Sequence, residues 1–303
     1  MRKANCGAVE RTILCRTVAA LFLLGTAVAS VQAQTLPGQQ AVAPAAKGYV
    51  YWTNSLNGSL GRTSTTGSKA KEKFIVTKVP GGAGLTVDKH YIYWTGANGG
   101  SATTIARATL KGADVNLDFI TGAQNPCGVA VDKTNIYWAG DIGSTIGRAN
   151  LDGSDVNLDF IATGTGVCGV AVTKKYIYWA NYQTAEIGRA KRDGSDVNLD
   201  FISGCGSGIA IEGKFIYFTT ASGTGLARAN IDGTGVNPNF IAGLNGQIAF
   251  LAVDKTAIFW ADWGNRGTGK TIGRANLDGS DVNQSFVTGT KGGFGIAVTG
   301  GDP

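Results

Sequence analysis

His90 is the only histidine among 303 residues, and that one fact removes many catalytic arrangements. A Ser or Cys nucleophile needs a partner base, and a His-rich metal centre needs a second imidazole. A lone histidine in a turn reads as a solvated side chain. The most regular acidic pattern is Asp152-Gly-Ser-Asp155-Val-Asn157, which returns at Asp193 to Asn198 and Asp278 to Asn283. It lacks the terminal bidentate Glu of a calcium loop, whereas Asp-Gly is a strong hairpin signal. These runs are read as polar turns, and neither a metal nor a cofactor is expected. Six arginines, Arg62, Arg107, Arg148, Arg189, Arg228 and Arg274, recur at one position. Arginine can bury its stem and offers several donors, so this recurrence argues for packing between repeats rather than for a functional ring of charge.

These residues are carried by a repeat. The aromatic pairs Tyr51-Trp52, Tyr93-Trp94, Tyr137-Trp138, Tyr178-Trp179, Tyr217-Phe218 and Phe259-Trp260 follow one another by 42, 44, 41, 39 and 42 residues. A period of about 40 residues made of short β-like segments predicts a propeller blade of four strands, so six copies predict six blades in a ring. In the copy from Cys127 to Thr163, Gly128 to Asp132 reads as a buried first strand and Asn135 to Ala139 as a second. Thr145 to Leu151 then reads as a third and Val156 to Ile161 as a fourth. The first copy begins at its second strand, Gly48 to Thr53, and the last ends on Gly295-Ile296-Ala297-Val298. The fold expected is all-β: a six-bladed propeller of four-stranded antiparallel blades, closed by the C-terminal strand completing blade 1.

The YWTN, YWTG, YWAG, YWAN and FWAD versions of the pair, with IGRANLDGS, resemble the YWTD repeats (class B repeats) of the low-density lipoprotein receptor family. The resemblance covers residues 48 to 300 and implies a six-bladed propeller. One departure matters. The family's Asp is replaced by Asn54, Gly96, Gly140, Asn181 and Thr220, and only Asp262 keeps it. Interactions made by that Asp in receptors are therefore not carried over to five of the six blades.

The chain opens on what reads as an export signal: Arg2, Lys3, Arg11 and Arg16, then an apolar stretch from Val18 to Ala29, then Val31-Gln32-Ala33. The stretch is short for a bilayer span, so residues 1–33 are read as a signal peptide cleaved after Ala33, with an uncleaved anchor as the other reading. Residues 34–47 read as a flexible lead-in and 48–300 as the propeller. The remainder holds 23 basic and 20 acidic residues, a net of +3, with no clustered basic face. Nucleic-acid binding is not expected, nor is a transmembrane segment in the mature chain. The expected location is secreted or periplasmic. There, cysteines pair where geometry permits. Cys127 and Cys168 each precede the Gly of a GVAV segment, and Cys205 lies three residues before Gly208. Either Cys127 bridges Cys168 and leaves Cys205 over, or all three are buried and free.

Alternate connections of such a blade lie on opposite faces of the ring. The loops between second and third strands share one face with the connections between blades; the short turns share the other. The aromatic-to-Arg span is 10 residues in four copies, 13 from Trp94 to Arg107 and 14 from Trp260 to Arg274. Length that the fold does not require is where function is added. The sixth loop carries Asp262, Trp263, Asn265, Arg266 and Lys270, with an exposed Trp-Arg pair of the kind that anchors protein recognition. Asp141, Tyr182 and Gln183 share that face, which is also expected to receive the cysteines and the channel opening. The function expected is a secreted, non-enzymatic binding or scaffold propeller whose longer-loop face recognises an extracellular or periplasmic protein or saccharide. The alternative is a propeller lyase or hydrolase with a polar site at the channel mouth, since antibiotic-cleaving lyases and lactonases use propellers too. A purely structural surface protein is the third reading.

Overall fold

The structure is a computed structural model and describes residues 48–77, 82–96, 103–265 and 267–300. The expected leader and lead-in, and part of the second blade's long loop, lie outside the described residues. The described chain forms six four-stranded antiparallel sheets. In blade 3 the strands are Pro126–Val131, Asn135–Gly140, Thr145–Asn150 and Asn157–Ala162, hydrogen-bonded in chain order from the axis outward. The first strand thus starts earlier than Gly128 and stops short of Asp132. Asp132 leaves the ladder because its carboxylate accepts the turn N–H groups of Thr134 and Asn135, at 2.7 and 2.9 Å. Val156 also lies outside the fourth strand and is exposed.

Blade 1 is completed by the last strand of the chain. Gly293–Val298 pairs antiparallel with Tyr49–Asn54, matching Val50 with Val298, Tyr51 with Ala297 and Trp52 with Ile296. Beyond the strand, Thr299 N–H donates to Tyr49 O at 2.9 Å.

The aromatic pair explains why the blades cohere. Successive strand residues point to opposite faces, so the two rings of each pair enter different interfaces. Tyr137 of blade 3 packs in one cluster with Trp179 of blade 4, while its neighbour Trp138 packs with Tyr93 of blade 2. The same exchange joins Tyr51 to Trp94, Tyr178 to Phe218 and Tyr217 to Trp260, and Phe259 to Trp52 across the closure. Four of the indoles lie against a glycine in the third strand of their own blade. A Cβ at Gly147 would fall within the Trp138 ring, and Gly61, Gly188 and Gly273 face Trp52, Trp179 and Trp260 in the same way.

The repeated arginines fasten the outer parts of the blades. The Arg62 guanidinium stacks between Tyr49 and Phe74, 4.4 and 4.0 Å from the ring centroids, and donates to Leu110 O of the next blade at 3.2 Å. Arg107 lies between Tyr91 and Phe119 and reaches Leu151 O, and Arg228 lies between Phe215 and Phe240 and reaches Leu277 O. Cation–π contacts of this kind contribute about 0.5–2 kcal/mol each. Arg62, Arg107 and Arg228 therefore have packing partners on their own blade and the next.

Candidate functional site

The Asp-Gly turns hold their own donors. Asp152 Oδ1 accepts the Ser154 N–H at 2.9 Å and its hydroxyl at 2.6 Å, and Asp193 and Asp278 do the same with Ser195 and Ser280. These bonds hold the three carboxyls below their usual range. No group of three metal-ligating side chains occurs among the described residues. His90 is exposed, its N–H held by Asp88 Oδ1 at 2.7 Å.

On the loop face the expected residues form two groups. The first sits on blades 3 and 4. The Tyr182 hydroxyl donates to Asp141 Oδ1 at 3.1 Å, and Asn125 Nδ2 donates to Asp141 Oδ2 at 3.3 Å. Burial, then the Asp141 charge, push the Tyr182 phenol up. Gln183 adjoins it, accepting the Thr165 hydroxyl at 3.0 Å. The second group is the blade 6 loop, three blades from blade 3. Asp262 Oδ1 takes the Gly264 N–H at 2.8 Å, and desolvation raises this carboxyl. Lys270 is exposed, while its carbonyl takes the Thr290 N–H at 3.1 Å. Arg266 lies outside the described residues.

Trp263 is not the free anchor expected from composition. It is half-buried, edge-on to Phe294 with ring centroids 5.4 Å apart, and Phe294 in turn packs on Phe250 at 5.4 Å. Its N–H donates to Gln247 O and its carbonyl accepts the Gly269 N–H, both at 2.8 Å. The loop is therefore stitched to its neighbours, and Phe294 belongs to the strand that closes the ring. The physical reason is local: a Trp beside a wide apolar mouth removes more surface from water by folding inward than by standing out.

Phe250 was the residue that periodicity should have revealed. It occupies the inner-strand place held by Gly128, Gly169, Gly208 and Gly295 elsewhere, where a neighbouring backbone comes too close for a Cβ. Cys127 and Cys168, on blades 3 and 4, share one apolar cluster with Phe250, Phe294 and Trp263, on blades 6 and 1. Blades 3 and 4 face blades 6 and 1 across the axis, so this cluster spans the channel. It plugs the loop-face end, where the channel was expected to open. Cys127 and Cys168 are joined by a disulfide, with Cα atoms 4.8 Å apart, because neighbouring inner strands converge here; Gly84 N–H donates to Cys127 O at 2.6 Å. Cys205 is buried, near Asn181 O, and its thiol is pushed up to about 12 by burial.

Native protein spanning residues 34–303 should accordingly show no iodoacetamide-reactive thiol at pH 8, one after denaturation, and three after denaturation with reduction. Three without reduction would eliminate the bridge.

Below the plug runs a cavity of about 160 Å³ lined by Leu, Val, Ile, Ala and Phe side chains with Thr86. None of these lining side chains titrates. Two side chains of the loop face were missed at the level of sequence: Leu56 and Ile142, 59% and 65% exposed, stand on the loops of blades 1 and 3, whereas Tyr182, 43% exposed, was expected there. Unlike the exposed valines Val115, Val156, Val197, Val236 and Val282, they occupy places that differ from blade to blade.

No protein-family model matches the chain, and no curated protein does. Solved structures do. A chain of the crystal structure of a nidogen/laminin complex superposes with a TM-score of 0.69 at 17% identity, covering 84% of this chain and 100% of that one. A streptogramin B lyase structure gives 0.59 at 18% identity, covering 82% and 83%. What they share with this chain is the fold. Among the described residues no helix is long and apolar enough to cross a membrane.

Proposed function

We propose that this chain is an exported binding propeller that recognises a protein partner through its loop face. The observation that carries the reading is the exposure there of Leu56, Ile142 and Tyr182, large apolar side chains the repeat does not require. Apolar and aromatic anchors rimmed by polar groups suit a protein surface better than a saccharide; Asp141, Gln183 and Lys270 supply the rim. The resemblance of the aromatic pairs to class B repeats, and the likeness to a chain of a nidogen/laminin complex, support the same reading. Catalysis would have to use groups outside the channel, whose walls offer no acid or base.

The test is capture of a partner from the native extracellular milieu, followed by calorimetry with that partner. Leu56→Ser with Tyr182→Ala should weaken binding by about tenfold or more, since anchors of this kind contribute about 2 kcal/mol each. Trp263→Ala reports less cleanly, because it also unpacks Phe294. The control pair Asp152→Ala and Asp193→Ala, on the turn face, should leave affinity intact. Equal losses from both pairs, or loss from the Asp pair alone, would move the site to the opposite face.

A further inference from the structure

Blade 1 reverses the charge that the other rims carry. In blades 2, 3, 4 and 6 the turn before the outer strand holds Asp114, Asp155, Asp196 or Asp281 in the left-handed region, at φ of 52° to 58°. Blade 1 has Lys69 there, at φ 60°. Asp tolerates that region better than Lys does. The outer strands of the other five blades open on asparagine, whose Oδ1 accepts the N–H of the residue two on, as Asn116 does for Asp118 at 3.0 Å. Lys71 opens the outer strand of blade 1, Lys71–Val76, and offers no such acceptor. Two residues on, Lys73 holds the place of Asp118, Asp159 and Asp200. Lysine can blunt a free strand edge, but the Asp of the other blades does that equally well. Two local stabilising devices are absent from blade 1, and positive charge stands in their place.

The next blade continues that charge. Each hairpin leans on the outer strand of the blade before it: a Cβ at Gly112 would lie 3.0 Å from the Phe74 ring, and one at Gly153 3.0 Å from Phe119. In the blade 2 hairpin Lys111 takes the place of the Asp of Asp-Gly. Lys71, Lys73 and Lys111 thus share the junction of blades 1 and 2, flanked by Lys69. All four are exposed, and none forms an ion pair among the described residues. Two acids lie beside them. Asp114 is exposed, whereas Glu72 turns inward, with one carboxylate oxygen buried and its carboxyl raised by that burial. The junction of blades 2 and 3 has the same construction and the opposite sign. It exposes Asp118, Asp152 and Asp155, with no lysine in that strand or hairpin.

We propose that these two junctions join copies of this chain into a weak, closed trimer, the lysine junction of each copy meeting the aspartate junction of the next. Both charge groups lie on the turn-side half of the rim, at hairpins and at the first residues of outer strands. They meet only when the two rings stand side by side with their turn faces on the same side. Such a contact is heterologous, and heterologous contacts close into a ring when the rotation permits. In a six-bladed ring neighbouring junctions are about 60° apart. Three discs in mutual contact touch at points about 60° apart on each disc, so closure comes at three copies. Val115 and Val156, each 43% exposed, stand in the two hairpins and add apolar area. Exposed ion pairs contribute only about 0–1 kcal/mol each, so the assembly is weak and sensitive to salt. Both faces of the ring stay uncovered, and the inference is independent of the loop-face reading.

Sedimentation of protein spanning residues 34–303 tests it. At about 20 mM salt the weight-average mass should climb with concentration from one chain and level off at three; at about 500 mM salt association should weaken about tenfold or more. Lys71→Glu, Lys73→Glu and Lys111→Glu together should abolish association. So should Asp118→Lys, Asp152→Lys and Asp155→Lys together, at places where blade 1 or blade 2 itself carries Lys73, Lys111 or Lys69. All six substitutions in one chain should restore the trimer, because the two junctions are then complementary again; a misfolded variant would not be rescued. Leu56→Ser with Tyr182→Ala, on the loop face, should leave association unchanged. A monomer at every concentration in low salt, a plateau at two chains, indifference to salt, or a six-fold variant that stays monomeric would each overturn the proposal. Monomers retained on a sulfated polysaccharide through the same lysines would also overturn it, by making the occupant a polyanion rather than a second copy.

Discussion

Deleting residues 294–303 should abolish cooperative folding altogether. The deletion removes the strand that lies innermost in blade 1, and with it the register that pairs Val50, Tyr51 and Trp52 with Val298, Ala297 and Ile296. It also removes the Gly295 N–H that donates to Thr53 Oγ1 at 2.8 Å, and the Phe294 ring that anchors Trp263 and Phe250. A propeller has no partial version of this loss. Without the last strand, Tyr49–Asn54 becomes an open edge facing the axis, and the blade 6 to blade 1 interface loses much of its apolar surface. Far-UV circular dichroism on heating should show no sigmoidal transition, and the truncated protein should aggregate through its unpaired edge. A truncated chain that melts as the full chain does would show that the ring does not depend on this closure. Supplying residues 289–303 as a peptide should restore the transition in part, because the lost contacts are non-covalent.

Trp179→Ala should cost about 3–5 kcal/mol, the largest effect expected of any single substitution here. Trp179 is fully buried between blades 3 and 4, in one cluster with Tyr137, Ile146, Ile161 and Val167, and its indole lies against Gly188. Truncation would leave a void bounded by two blades and a backbone glycine, none of which can close it by a side-chain move alone. Against a total stability of about 5–15 kcal/mol, such a loss moves the urea midpoint far without changing the slope. Trp179→Phe is the informative companion. Blade 5 carries Phe218 at this place, opposite Ala227 rather than glycine, so a smaller ring is compatible with the blade. Its cost should stay well below that of the alanine variant. Equal losses from both would mean that the indole makes some interaction beyond filling space.

How far the residues alone could be read differs from element to element. The Tyr-Trp period set the number of blades, the strand order within each, and the closing role of Gly293–Val298, because each is a consequence of periodicity along the chain. The arginines could be assigned to packing for the same reason, and Arg62 and Arg107 show the same two rings and the equivalent carbonyl, although Asn135 and Ala257 replace the inner ring beside Arg148 and Arg274. Strand ends were less readable. Asp132 looked like the last residue of a strand but is a turn acceptor, since its carboxylate competes with the ladder for backbone N–H groups.

The candidate site was readable only by address. Counting residues between aromatic and arginine located the long loop of blade 6 and placed Asp141, Tyr182 and Gln183 on the same face. It gave no indication that Trp263 turns inward, or that Leu56 and Ile142 stand out. Those outcomes depend on which neighbour is within reach once the ring has closed.

Periodicity is a property of the chain, so the amino-acid order alone dictated a six-fold, all-β ring with its aromatic interfaces, its arginine staples and its polar turns. Contacts across the axis are not periodic. Residues 127 and 168 meet residues 250 and 294 only because closure brings opposite blades face to face, and a single Phe in place of an inner-strand glycine then seals one end of the channel. Tertiary structure therefore decided which residues meet across the axis and which stand free on each face. Those features are set by convergence of strands far apart in sequence, which no local pattern of residue types encodes.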